Sequence, residues 1–396
     1  MAGKAAAAPR QVTIPFTGAA HAYRRKYYTS TPAIVGSATI DASPAANKIF
    51  AYGFLRAHAV HVTAATAASS GGTYATGGVW NAISNLVVRQ PGGQEMFGGP
   101  NMTGWLSYLA NKQAAWKLYS DPALYPSYSS SVTNPSFVLR SIFEINCQSG
   151  LGSLPNQNDA APWQVTVVQN TATGLFTTAP TTTNPTLKYD YFIECWTVPS
   201  PRNPLRPNVR QMTQPPLLGT LNKWTTQQFQ VPGGSQFDVP LVRKGNSLRN
   251  LGLITFNSSN AQIATSNFPN PLTLQWDGTL IRANDDPALW IDDEYMVRGG
   301  AAATTPETQD TGVLFYKMSD PSGIDVSATG IDGLGMVKQW GTTQTSTITV
   351  GGTWGATVSY IVFLTNDVQY VLPSPNPYAL AAGEPFLSNM AQPSAV

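Results

Sequence analysis

Charge is what this sequence has least of. Lys, Arg, Asp and Glu make up only 11% of its 396 residues, well below the roughly 25% of an average soluble chain. So thin a charge layer keeps a solitary protein in solution poorly, and much of the surface is expected to be covered by partners. Cysteine is almost missing too. Cys147 and Cys195 are too few for a disulfide framework, and both lie in strand-like apolar runs that read as sites for buried thiols. There is no run of about 20 apolar residues that would span a bilayer as a helix. The opening stretch Met1 to Pro9 has only four consecutive alanines, too short for a signal-peptide apolar region of about 7–15 residues. Synthesis and folding in a cytoplasm are therefore expected.

The net charge of +2 gives no strong overall pull toward nucleic acid or membrane. Its distribution is uneven. Lys4, Arg10, Arg24, Arg25 and Lys26 precede the first acid, Asp41, so a cationic arm of +5 leads a remainder of −3. Such an arm suits contact with lipid headgroups or a neighbouring subunit, or a solvated tail.

What is present is β-sheet material: 10% aromatics, 34 glycines and 31 prolines. Short β-branched and aromatic runs bounded by Gly, Pro, Asn and Ser predict strands over 37–40, 52–63, 83–89, 138–147, 163–169 and 188–198. Further strands are predicted over 227–231, 236–242, 251–256, 272–276, 312–316, 346–350 and 357–364. The best helix signal is 102–116, after Asn101 as N-cap. Between the halves lie five prolines, Pro199, Pro201, Pro204, Pro207 and Pro215, with Pro216 following, which read as a semi-rigid extended connector.

The central position of that connector prompts a search for a repeat. Leu86 to Val88, then Gly92-Gly93 and Trp105, find a counterpart in Leu272 to Leu274, Gly278 and Trp290. Phe143 and Phe192 match Phe315 and Phe363 in the same order, with a shorter offset. The fold expected is all-β: two tandem eight-stranded jelly rolls, each two facing sheets with Greek-key links, with long loops and few short helices. The expected divisions are an arm over 1–32, a first roll over 33–198, a linker over 199–222, a second roll over 223–372 and a C-terminal arm over 373–396.

With these halves, the mid-chain Pro-rich link, the stretch Tyr52 to Ala57 and the stretch Gly234 to Leu241 leading into Leu248 to Leu251, residues 30–372 resemble a known family. It is the double jelly-roll major capsid proteins of tectivirus-type phages, which are tailless, icosahedral and built around an internal membrane. Adenovirus hexon looks like a larger relative. The resemblance implies a structural protein of the virion and no enzyme. It implies a homotrimer with a pseudo-hexagonal outline, neighbouring trimers and minor or vertex capsid proteins as partners, and peripheral contact with the internal membrane. No sequence-specific nucleic-acid binding is implied. The family's helical N-terminal segment is disfavoured here by Pro9 and Pro15. Arg24, Arg25 and Lys26 are the residues expected to touch membrane or subunit. The rival readings are a carbohydrate-binding or carbohydrate-active β-sandwich, or a trimeric receptor-binding spike.

Signals for chemistry are weak. His58 and His61, three apart on a strand, fall on opposite faces and cannot share a metal. Asp285, Asp286, Asp292, Asp293 and Glu294 lack the glycine-punctuated spacing of a calcium loop and read as a solvated turn. Glu144 and Glu194 invite comparison with the carboxylate pair of a glycosidase, but edge placement or pairing with Arg140 is the expectation. No phosphate loop or dinucleotide fingerprint occurs, so no catalytic residue, metal site or cofactor is expected. The tryptophans, among them Trp80, Trp105, Trp163, Trp196, Trp276 and Trp340, are assigned to core and subunit packing.

Overall fold

The computed structural model describes residues 12–30, 33–34, 40–41, 48–64, 73–74, 82–98, 136–145, 150–178, 186–216, 218–242, 246–290, 312–317, 340–341 and 347–369. Strands dominate them. The first half holds β1 (Thr13–Ile14), β2 (Ala22–Thr29), β3 (Ala33–Ile34), β4 (Ile40–Asp41), β5 (Phe54–Ala64), β6 (Thr73–Tyr74) and β7 (Ile83–Arg89). It continues with β8 (Glu95–Phe97), β9 (Ser136–Ile142), β10 (Leu154–Pro155), β11 (Gln164–Gln169), β12 (Phe176–Thr178) and β13 (Thr186–Trp196). The connector adds β14 (Arg202–Asn203) and β15 (Arg206–Gln211). The second half holds β16 (Leu221–Gln230), β17 (Gln236–Val242), β18 (Ser247–Phe256), β19 (Leu272–Trp276) and β20 (Thr279–Asp285). It ends with β21 (Val313–Lys317), β22 (Trp340–Gly341), β23 (Thr347–Thr353) and β24 (Tyr360–Gln369).

The pairing of these strands defines the fold. In the first half one sheet runs β2-β13-β5-β9 and the other β4-β11-β7-β8, all antiparallel. In the second half the sheets run β16-β24-β18-β21 and β17-β23-β19-β20, again antiparallel. With only the eight strands of these two sheets numbered in each half, each first sheet joins strands one, eight, three and six, and each second sheet joins two, seven, four and five. This is the Greek-key order of a jelly roll, and it occurs twice.

The repeat is therefore real in topology, but two of its sequence matches are out of register. Phe143 lies in the core of the first roll, whereas Phe315 lies on the outer face of its sheet in the second. Phe363 faces the core of the second roll, whereas Phe192 faces outward beneath the Arg24 guanidinium. Side chains alternate with period two, so an odd slip exchanges the faces. The match of Val88 to Leu274 keeps both residues in their cores.

Residues 22–29, read from sequence as arm, form β2. Six of its eight residues are exposed, so no alternating pattern marks it, and pairing with β13 is what makes it a strand. The connector is also more structured than its prolines suggest. β14 and β15 form a small hairpin, and β1 adds to it in parallel. Pro201 precedes the hairpin, Pro204 lies in its turn and Pro207, within β15, falls at the irregularity between its paired positions, where no ladder N–H is lost. The helix predicted over 102–116 lies outside the described residues.

Each roll has its own core. Val60, Leu86, Val165 and Tyr191 belong to the first, and Leu253, Leu274, Val350 and Phe363 to the second. The first cluster also takes in Trp224, Ile254, Val313, Phe315, Val362 and Leu364 from the second roll. The sheet β16-β24-β18-β21 is thus buried on both faces, inward on its own core and outward on roll one. β24 shows it in sequence: Ile361-Val362-Phe363-Leu364 is a continuous apolar run, as expected of a strand covered on both sides.

Candidate assembly surface and the seam between the rolls

The two rolls are joined by directional bonds as well as by apolar packing. β8 of roll one lies parallel beside β16 of roll two at Phe97 and Trp224, and the Gly98 N–H donates to the Trp224 carbonyl at 3.1 Å. Three side chains of roll two donate to carbonyls at the last residue of β9 and in the stretch just after it. Trp224 Nε1 reaches Ile142 O at 3.1 Å, Asn222 Nδ2 reaches Glu144 O at 3.3 Å, and Arg249 reaches Ile145 O at 3.3 Å. Asn222 is itself fixed by Asn366 Nδ2 at 2.6 Å. Such groups are costly to bury unpaired, so the seam specifies one docking geometry. Sequence reading missed these residues, since a lone Trp or Asn in a strand carries no periodic signal.

Arg24, Arg25 and Lys26 sit on β2, at the edge of its sheet. Lys26 Nζ lies 2.7 Å from Asp190, and Arg24 Nε lies 3.8 Å from Glu194. Arg25 stacks over the Phe50 ring at 4.7 Å. Burial opposes ionisation of Asp190, but hydrogen bonds from Lys26 and Thr29 outweigh it and hold its pKa below the ordinary value. Both ion pairs are half-exposed and contribute little stability.

Glu144 and Glu194 are each held by their own cation. Glu144 is buried and accepts from Arg56 at 3.2 Å, from Ser153 Oγ at 3.1 Å and from Trp196 Nε1. The Arg56 guanidinium lies over the Trp196 ring at 4.5 Å. Glu194 binds Arg140, the expected partner, at 2.5 Å. Carboxylates fixed in this way are structural.

His58 is fully buried, stacked on Phe143 at 5.2 Å and packed edge-on against Phe97 at 5.1 Å. Burial drives its pKa down to about 3, so it is neutral. His61, on the opposite face, is half-buried, and burial lowers its pKa while Asp190 opposes that. His21 is exposed, and among the described residues no group of His, Cys, Asp and Glu could hold a metal. Cys195 is a buried free thiol pushed up to about 12 by burial, chemically inert. Cys147 lies outside the described residues, as do Trp80, Trp105, Asp292, Asp293 and Glu294. Trp163 and Trp196 are buried, and Trp276 is half-buried at the end of β19. No described helix is long and apolar enough to cross a membrane.

The sequence matches no family model and no curated protein. Solved structures match it in fold. The major capsid protein of Sulfolobus turreted icosahedral virus is similar at 13% identity, covering 91% of this chain and 100% of that one with a TM-score of 0.53. The major capsid protein P2 of bacteriophage PM2 shares 9% identity, with 89% and 98% coverage and a TM-score of 0.50. VP54 of PBCV-1, a structure fitted into a reconstruction of the virophage Sputnik, shares 12%, with 88% and 93% coverage and a TM-score of 0.52. Strand order and these likenesses agree: the chain is a double jelly roll, in the fold of viral major capsid proteins.

Proposed function

We propose that this chain is the major capsid protein of an icosahedral virus, with a structural and not a catalytic role. The observation that carries the reading is the pair of complete jelly rolls fused through a shared core, which makes one rigid two-roll block suited to tiling. The low charge of the whole chain fits a molecule whose flanks are covered by copies of itself. In this reading three copies form a pseudo-hexagonal trimer, and trimers tile a shell around an internal membrane and genome, with minor or vertex proteins filling special positions. The working location is the virion, after synthesis in a host cytoplasm.

Light scattering of the purified chain with negative-stain imaging tests this. A stable trimer with a six-sided outline, or spontaneous shells, is expected. A monomer that persists at high concentration would sink the reading and favour a sugar-binding sandwich.

A further inference from the structure

The connector between the rolls carries charge of one sign. No Asp or Glu occurs in residues 1–40 or 195–237, the stretches that supply β1, β2, β14 and β15. In the small sheet β1-β15-β14, Thr13, Arg210 and Arg202 are register partners and all exposed, whereas Ile14 and Gln211 are half-buried on the other face. Arg202 and Arg210 thus stand side by side, at the separation of about 4.5–5.5 Å between Cβ atoms where like charges repel. Arg206, exposed beside the turn, is a third. Among the described residues none of these three arginines pairs with a carboxylate. The cations of β2 differ, since Lys26 and Arg24 face Asp190 and Glu194 and Arg25 covers the Phe50 ring.

Exposed apolar surface collects at the same end of roll one, where β13 stops and β2 starts. Tyr23 is the register partner of Cys195, and the Thr197 N–H donates to the His21 carbonyl at 3.0 Å. Eight large apolar side chains are exposed among the described residues, and six belong to this end: Val12, Tyr23, Tyr52, Val198, Leu205 and Met212. Leu205, in the hairpin turn between Arg202 and Arg206, is 92% exposed. The Tyr23 and Tyr52 rings lie 5.2 Å apart. Phe16, just after β1, is buried with Phe54 and Trp196, which anchors the small sheet to the roll. Asp159 also reaches this end, where it accepts the Ala51 N–H at 3.4 Å.

We propose that the connector hairpin is a lipid-docking element: Arg202, Arg206 and Arg210 bind the phosphates of an anionic bilayer, and Leu205 with the tyrosine pair enters the headgroup layer. This rests on the reading of a shell around an internal membrane and names the part of the chain that touches it. An anionic leaflet attracts unpaired Arg and Lys, and apolar or amphipathic side chains beside them settle at the boundary of headgroup and acyl chain. A guanidinium grips phosphate oxygens in bidentate fashion, so one phosphate between Arg202 and Arg210 turns their repulsion into a shared attraction. Nucleic acid would satisfy the arginines but give Leu205 no apolar layer to enter. A second copy docked on the same face would set arginine against arginine.

Co-sedimentation of the full chain tests this, with vesicles of mixed phosphatidylglycerol and phosphatidylcholine, with vesicles of phosphatidylcholine alone, and with a single-stranded oligonucleotide as a third probe. Binding is expected to the anionic vesicles, falling as salt screens the arginines. Arg202→Gln combined with Arg210→Gln should weaken it about 25-fold, at about fivefold per arginine. Leu205→Ser should weaken it about tenfold through lost apolar burial while leaving the melting temperature unchanged. Arg25→Gln, on β2, should change it little. Equal binding to both vesicle types, or a loss from Arg25→Gln as large as that from the arginine pair, overturns the assignment. Oligonucleotide binding as tight as that to anionic vesicles, with no effect of Leu205→Ser on either, replaces the bilayer by a generic polyanion. Light scattering on the same preparation keeps the two readings apart. A trimer that ignores anionic vesicles removes this surface and leaves the capsid, whereas a monomer whose vesicle binding is lost in the arginine variant keeps the surface and removes the capsid.

Discussion

The indole N–H of Trp224 in the second roll donates to the main-chain oxygen of Ile142 in the first, 3.1 Å away, inside a cluster built from both rolls. That bond and its neighbours from Asn222 and Arg249 mean that neither roll can leave the other without stranding buried polar groups.

Trp224→Ala should therefore cost about 3–5 kcal/mol through lost area and cavity. Trp224→Phe, which keeps most of the area and strands one carbonyl, should cost about 1–3 kcal/mol. Calorimetry is expected to show one cooperative transition for the native chain and two for Trp224→Ala, as the rolls unfold separately.

Glu144→Gln removes the counter-charge of Arg56, whose side chain is only 15% exposed. Breaking a buried pair on one side costs about 3–5 kcal/mol, and some exposure of Arg56 places the loss near the lower figure. Arg56→Gln together with Glu144→Gln should lose less than the sum of the two single changes in urea denaturation, because no charge is then left alone.

His58 sets an acid limit. Its pKa falls to about 3 in the fold against about 6.5 in an unfolded chain. Below pH 6.5 the unfolded state takes up a proton that the folded state refuses, so stability is full above about pH 6.5 and is lost as pH falls toward 3. The loss is about 1.4 kcal/mol per pH unit over that window. His58→Leu, which keeps an apolar side chain against Phe143, should flatten this part of the profile in denaturant midpoints measured from pH 7 to pH 4. An unchanged slope would count against the buried neutral imidazole.

Gly53 precedes β5 with φ +55, and a Cβ there would lie 2.0 Å from the Trp196 carbonyl oxygen. Gly53→Ala adds left-handed strain of about 1–3 kcal/mol to that clash. A fall in melting temperature of several degrees or more is expected, with the β5–β13 pairing the part disturbed.

Most central strands were legible from sequence because they are short β-branched runs between turn residues: 83–89, 236–242 and 272–276 match β7, β17 and β19 residue for residue. β2 was not, since Tyr23-Arg24-Arg25-Lys26-Tyr27 has the look of a solvated tail, and only its partner β13 makes it a strand. The repeat was legible in order and not in register, because β24 and β21 are apolar on both faces and give the period-two pattern nothing to align on. The seam was invisible: Trp224, Asn222 and Arg249 meet carbonyls some 80 to 100 positions earlier in the chain.

The outward face of β16-β24-β18-β21, closed over by roll one, bears on how the chain is made. Domains fold as they leave the ribosome, N-terminal first. Roll one is thus a finished sandwich before Val362 and Leu364 are translated, and the greasy side of the later sheet meets its cover as it forms. The same two rolls in reversed gene order would expose that side for the whole time the cover was being synthesised, with aggregation as the expected result.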